Sequence, residues 1–415
     1  MKRLLGFFSA VMYVILINVA SAQYVTHDQV GGTAVFDMYA AYSKTVADCG
    51  SAKRPAFLCS GIFIRGTIYS PEYRFWNFGP ASKEATAFSW IRKDAKFRQL
   101  ASDHRHGYII RSMFYTPDDY IQLQVLCASV TDAGSHGRST EKGCGDAINT
   151  TQIELSCQAQ GITTASAWLA YYLANGSSHY RQCLFDLKPT TEPANANVFM
   201  QFVNAHAFAE VQNEHFAAVL LSNNEVRIES WPQSDGSRVP IWAIFWISKD
   251  TVTGAATDVG KSEAQKDQMA IYEDSGHFIP IVRITLPMTP AEDATFFYAP
   301  ADQAPLSTVM CRRFVDKAEW VNRYDPGAKA NKWTLSVTPT DCGRLSQANQ
   351  LDSFYKEIVD KYGTAPQWSA EFNGGVRRQI ACLLATYRDN TTYNLEPFRS
   401  DTTQAIAVAA GCNPP

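Results

Sequence analysis

Three short segments combine residue types able to bind or cleave a charged, ring-bearing substrate. The first, Cys59-Ser-Gly-Ile-Phe-Ile-Arg65-Gly66-Thr67, reads as a buried strand that ends in an arginine. Alternation puts Ile62 and Ile64 on one face and Phe63 and Arg65 on the other. A planar guanidinium fork at the strand's rim suits a pyrophosphate or a carboxylate, and a structural salt bridge would use the same residue equally well. The second, Thr86-Ala-Phe88-Ser89-Trp90-Ile-Arg92, sets a serine between two aromatic residues. Ser89 is placed to orient a neighbouring carboxylate, and Phe88 and Trp90 to wall a flat-ring pocket; ordinary core packing is the alternative. In the third, Ser222-Asn223-Asn224-Glu225-Val-Arg-Ile-Glu229-Ser-Trp231, Val226, Ile228 and Ser230 alternate with Glu225, Arg227, Glu229 and Trp231. One face of that strand is largely polar, and Glu225 stands at its mouth after a turn. The competing reading is a solvated strand face.

Other motifs fail on spacing. Gly254-Ala-Ala-Thr-Asp-Val-Gly260-Lys261-Ser262 is like a phosphate-binding P-loop, but five residues separate the glycines where that loop needs four. A capped loop-to-helix turn is the expected role. Asp103-His104-Arg105-His106 lacks a downstream ligand cluster and reads as a solvated surface loop rather than a metal site. Neither a zinc-protease His-Glu-x-x-His run nor a serine-hydrolase Gly-x-Ser-x-Gly elbow occurs.

The elements that must hold these residues are mixed. Strands are expected at 56–67, 108–114, 120–130, 225–231, 239–248 and 278–286. Helices are expected at 32–48, 93–101, from a Thr163 or Thr164 cap to Asn175, at 197–212 and at 262–272. Without regular strand–helix–strand alternation the fold class is α+β rather than doubly wound. Ala299-Pro-Ala-Asp-Gln-Ala-Pro305 suits a linker. It divides a large domain, 23–303, from a small one, 308–415. In the latter a hairpin turns around Asp325-Pro-Gly and helices follow at 351–362, 375–387 and 401–410.

Composition sets the compartment. Lys2 and Arg3 precede an uncharged apolar run, Leu4 to Ala20, and Ala20-Ser21-Ala22 matches a small-x-small cleavage site. Residues 1–22 are therefore expected to be a signal peptide, and the mature chain to be extracellular or periplasmic. No later run is long and apolar enough to span a membrane. The 46% hydrophobic and 19% charged shares are globular, and a net charge of −3 argues against nucleic acid as partner. Ten cysteines suit an exported disulfide framework. They fall six and four either side of the linker, so local bridges are expected: Cys49–Cys59, Cys127–Cys144, Cys157–Cys183, Cys311–Cys342 and Cys382–Cys412.

The order of the three segments is similar to the mono-ADP-ribosyltransferase site: arginine on an early strand, serine on a later one, then x-x-Glu-Val entering another. Longer runs carry the likeness further. Arg54-Pro-Ala-Phe-Leu-Cys-Ser-Gly, Phe88-Ser-Trp-Ile-Arg-Lys-Asp-Ala-Lys-Phe97, Cys157-Gln-Ala-Gln-Gly-Ile-Thr-Thr, Asn224-Glu-Val-Arg-Ile-Glu-Ser-Trp-Pro-Gln and Ile281-Val-Arg-Ile-Thr-Leu-Pro resemble the halovibrins. These are secreted bacterial proteins described as NAD glycohydrolases and ADP-ribosyltransferases. The resemblance implies an ADP-ribosyltransferase-like mixed sheet core and NAD as substrate, with no metal. It implies that Glu225, Ser89 and Arg65 are catalytic, and that Arg65, Gly66, Phe88 and Trp90 contact NAD. A host protein acceptor is implied for the transferase version. Two departures from the family's pattern occur, and the second counts against arginine-directed transfer. Ala87 replaces the first serine of the usual Ser-Thr-Ser element, and Asn223, which cannot act as a general base, replaces the first glutamate of Glu-x-Glu. The alternatives are a secreted binding or adhesion protein with a degenerate site, or a hydrolase using Glu229 or Asp94. In the small domain, Glu319-Trp320, Trp333-Thr-Leu-Ser-Val-Thr-Pro339 and Asn394-Leu-Glu-Pro-Phe-Arg399 resemble a small bacterial exported domain of unassigned function.

Overall fold

A computed structural model describes residues 35–37, 39–40, 61–68, 70, 85–100, 104–110, 125–132, 144, 156–174, 183–187, 192–213, 216–220, 223–229, 241–250, 252–369 and 373–413. The expected signal peptide and the Cys49–Cys59 bridge lie outside these residues. The chain is α+β. Its large body is built on a nine-stranded sheet of order β11-β10-β9-β3-β1-β2-β8-β4-β5. The strands nearest the candidate residues are β1 (Ile62–Thr67), β2 (Ala85–Ile91), β3 (His106–Ile110), β4 (Val125–Ser129) and β8 (Glu225–Glu229). β5 (Phe185–Asp186) closes one edge. The other edge holds β9 (Ile241–Ile247), β10 (Ile281–Thr285) and β11 (Thr295–Tyr298). Pairing is antiparallel except between β9 and β10, which run parallel and are joined through the helix Lys261–Ser275. That one crossover satisfies the need of parallel strands for a long connection.

Both faces of the sheet are covered, which is why so many of its strands are apolar on both sides. Phe63, Trp90, Tyr108, Val226 and Ile244 belong to one core. Ile62, Ile64, Ile109, Ala243 and Phe245 belong to the other. The helices Ala165–Ala174 and Glu192–His206 pack in the first core through Trp168, Tyr172, Phe199 and Phe202. Thr164 caps the former, its Oγ1 accepting from the Ala167 N–H at 3.2 Å. The Glu192–His206 helix starts and stops earlier than the apolar spacing predicts, because a small separate hairpin, β6 (Glu210–Asn213) and β7 (Phe216–Leu220), follows it.

The helix expected at 93–101 is absent from the described part of that stretch. Residues 93 and 94 form a turn closed by reciprocal backbone bonds between Arg92 and Ala95. Phe97 and Leu100 are pulled into the second core, while the Lys96 ammonium donates to the Pro290 carbonyl. Tertiary contacts override a weak local helical pattern here.

Residues 315–413 form a second body. β12 (Val315–Asp325) and β13 (Ala330–Pro339) make the expected hairpin, with β14 (Tyr393–Leu395) paired to its second strand. The helices Leu351–Tyr362 and Asn373–Thr386 cover it through Phe354, Ile358 and Ile380. Four expected bridges are formed: Cys127–Cys144, Cys157–Cys183, Cys311–Cys342 and Cys382–Cys412.

The segment joining the bodies is a fixed strap. Pro300–Asp302 is a 3₁₀ turn. The buried Asp302 carboxylate pairs with Lys261 at 2.8 Å and Arg283 at 2.9 Å. The Gln303 amide donates to the Ile281 and Ala299 carbonyls and accepts from the Ile281 N–H and Gln268. A flexible spacer would leave those groups to water. Tyr272 and Phe278 of the large body also pack into the core of the second. Among the described residues no helix is long and apolar enough to cross a membrane.

Candidate active site

The candidate residues meet where β2 passes between β1 and β8. Ser89 is opposite Ile64 on β1, and Phe88 is opposite Val226 on β8. One step beyond that last pair, Ser89 falls alongside Glu225, which is itself opposite Ser129 on β4. Directly opposed residues share a face, so Ser89, Glu225 and Ser129 form one polar row across three strands.

The mouth of β8 is set by two asparagines. The Trp90 N–H donates to Asn224 Oδ1 at 2.8 Å, and Asn224 Nδ2 donates to the Trp90 carbonyl at 2.7 Å. A side-chain amide thus continues the β2–β8 ladder past the point where the backbone of β8 turns away. Asn223 Nδ2 donates to Ser89 Oγ at 3.2 Å and to the Asn224 carbonyl at 3.3 Å. Arg227, two residues along and on the same face, brings its Nε to 3.0 Å from Glu225 Oε1. Asn223, Asn224, Glu225, Arg227 and Ser89 are all buried. A carboxylate in such a place needs a cation and hydrogen bonds to offset its lost hydration, and Arg227 supplies the cation.

The other predicted site residues lie elsewhere. Arg65 is opposite Tyr108. By register it shares a row with Phe88, one residue out of step with Ser89, and adjacent rows point to opposite faces. Its Nη1 donates to the Ala87 carbonyl at 2.8 Å. Gly66 is required by packing: a Cβ there would lie 2.6 Å from His104 Cβ. Phe88 and Trp90 are 2% and 0% exposed, so they are core residues rather than the open wall of a ring pocket. Phe88 meets Phe63 edge to face at 6.3 Å, and the Arg92 guanidinium lies over Trp90 at 5.1 Å. Asp94 is held by Arg92, whose Nη2 donates to it at 2.7 Å.

Arg227, Asn224 and Ser129 were not singled out by the sequence reading. Strand alternation carried a signal for Arg227, which it places on the Glu225 face. Asn224 carried none, because its partner is 134 residues away. The P-loop-like lysine is accounted for by Lys261–Asp302. His106 is buried on β3, its Nε2 3.8 Å from Asp267 Oδ2, and is not part of a surface loop. Among the described residues no group of three or more His, Cys, Asp or Glu side chains is arranged to hold a metal.

A crevice of about 570 Å³ opens between the strap and the second body, lined by Tyr272, Phe278, Tyr298, Leu306, Met310 and Gln347 among others. None of its lining residues is charged. A pyrophosphate would lose its hydration there without gaining a cation, so this crevice does not suit a dinucleotide.

Residues 315–415, the C-terminal quarter of the chain, match a family described as a protein of unknown function, DUF2599. No curated protein matches the chain. No solved structure matches it.

Proposed function

We propose that the protein is an exported enzyme that cleaves the nicotinamide–ribose bond of NAD, with water as the acceptor and a protein side chain as a second possible acceptor. The observation that carries this reading is the placement of Glu225 at the mouth of β8, in one polar row with Ser89 and beside Arg227. The resemblance in residue order to ADP-ribosyltransferases supports it, as do the four disulfides, which fit an oxidising compartment.

The chemistry asks little of the protein. The C1′–N bond breaks with its electron pair moving onto the already cationic nicotinamide nitrogen, so no general acid is needed. Positive charge develops on the ribose, as in glycoside hydrolysis. A preorganised carboxylate stabilises that charge and holds a ribose hydroxyl, which is the role of Glu225. Ser89, held by Asn223, aligns the same row. Water then forms the C1′–O bond and releases a proton. Asn223 offers no base to a protein acceptor, which favours hydrolysis over arginine-directed transfer. Arg65 is turned to the opposite face of this sheet and takes no part in the row that would meet the ribose.

A second reading, a binding protein with a degenerate site, draws on the same ion pair. A carboxylate already balanced by a buried arginine has less charge to offer a cationic ribose. Nicotinamide release from NAD by the mature protein and its Glu225→Gln variant separates the two. Turnover lost in the variant supports catalysis by Glu225, and no turnover in either supports the binding protein.

A further inference from the structure

We propose that the seam between the large body and the second body is an acid-tightened joint, closed by the imidazole of His277 clasped between Asp316 and Asp341. His277 follows Gly276, the left-handed residue (φ 75°) that ends the helix Lys261–Ser275. The backbone there touches the second body directly: the Cys342 N–H donates to the Gly276 carbonyl at 2.8 Å. A Cβ at Gly276 would lie 2.5 Å from the Arg313 carbonyl, so no larger residue fits between the two bodies. The next residue aims its side chain across the seam. His277 Nε2 is 3.4 Å from Asp316 Oδ1, and Nδ1 is 3.8 Å from Asp341 Oδ2. The same Asp341 oxygen accepts the Phe278 N–H at 2.8 Å.

Both ring nitrogens therefore face carboxylates of the other body. A neutral imidazole has one N–H and can donate to only one of them, whereas the imidazolium donates to both. The site also follows a helix C-terminus, where a cation is favoured. Burial alone pulls the His277 pKa down. The two carboxylates of Asp316 and Asp341, each within 4 Å of a ring nitrogen, outweigh it by favouring the charged ring, and the net shift is upward from the ordinary value. The other charged groups at the seam are committed. Arg312 pairs with Glu273 at 2.8 Å and Asp274 at 3.6 Å, and Arg313 donates to the Val315 and Asp316 carbonyls. Tyr272 is pushed up, by burial first and Asp341 second, far from neutrality. Among these residue types histidine is the one whose ordinary pKa lies closest to neutrality.

The sign follows from linkage. A folded-state pKa above the unfolded one, about 6.5 for histidine, gives stabilisation that is fully present below the unfolded value. It is lost as pH rises through the folded value. The joint is tight in acid and slackens towards alkali, and because Phe278 and Cys342 also line the crevice, the crevice slackens with it.

The test uses the full mature chain. Amide hydrogen exchange at Cys342 and Phe278, corrected for intrinsic rates, is compared between wild type and His277→Gln at pH 5.5 and pH 9. The expected result is protection several-fold lower in the variant at pH 5.5 and equal at pH 9. In parallel, the imidazole titration of Asp316→Asn is followed by NMR, where the His277 pKa should fall towards the ordinary value. A pH-independent difference in exchange overturns the joint. So does a His277 titration in wild type at or below the ordinary value, a readout that stands even if the glutamine variant does not fold.

Discussion

Asn224→Ala tests whether the mouth of β8 is held by one side chain. Asn224 is 1% exposed and its two bonds go to the N–H and the carbonyl of Trp90, itself fully buried. Truncation leaves a buried donor and a buried acceptor without these partners, each costing about 1–3 kcal/mol. The expected loss is about 2–6 kcal/mol, the lower end applying if water enters the space vacated by the amide. Asn223→Ala is the internal control. It removes bonds of 3.2 Å to the Ser89 hydroxyl and 3.3 Å to the Asn224 carbonyl, each worth about 0.5–1.5 kcal/mol and neither part of the β2–β8 ladder. Urea unfolding with an unchanged m-value measures both. Because Asn224 also fixes Glu225 against Ser89, nicotinamide release should fall in Asn224→Ala even at temperatures where the variant is fully folded. A loss below about 1 kcal/mol, or equal losses in the two variants, would refute the role given to Asn224.

Three further outcomes are expected. Replacing Cys382 and Cys412 by serine opens a loop of 30 residues. The chain-entropy argument puts the cost at about 3.6 kcal/mol, to be read by thermal unfolding against the reduced and oxidised wild type. Arg65→Ala should leave both kcat and KM for NAD nearly unchanged in steady-state kinetics of the folded variant, since Arg65 faces away from the Glu225 row. Arg227→Met should instead cost about 3–5 kcal/mol of stability by removing the cation beside buried Glu225.

What was legible in the sequence was local. The Asp325-Pro-Gly turn and alternating flanks placed the hairpin of the second body, and the Leu351–Tyr362 helix was read with its observed ends. The split of cysteines around the strap gave the four described bridges because each closes a loop of 17 to 31 residues within one body. Alternation also gave the correct faces of β1 and of β8. What it could not give was how those faces combine. Arg65 and Ser89 are each at a plausible position on its own strand, yet the Ile64–Ser89 register sets them one residue out of step. Phe88 and Trp90 looked like a wall because an aromatic pair reads the same in a pocket and in a core; only a sheet covered on both faces decides between them. The strap looked flexible because small residues and prolines hide Asp302, whose two cations come from Lys261 and Arg283. Long-range ion pairs of this kind leave no trace in local composition.

The proposed cleavage depends on Glu225, and the most direct measurement is nicotinamide release from NAD by the purified mature protein, wild type against Glu225→Gln. The variant keeps the size and shape of the side chain and removes its charge, and circular dichroism checks that the fold is intact. Wild type should turn over NAD and the variant should lose at least about a hundredfold, equal to about 2.7 kcal/mol of transition-state stabilisation. Undiminished release by a folded Glu225→Gln would contradict the role given to Glu225.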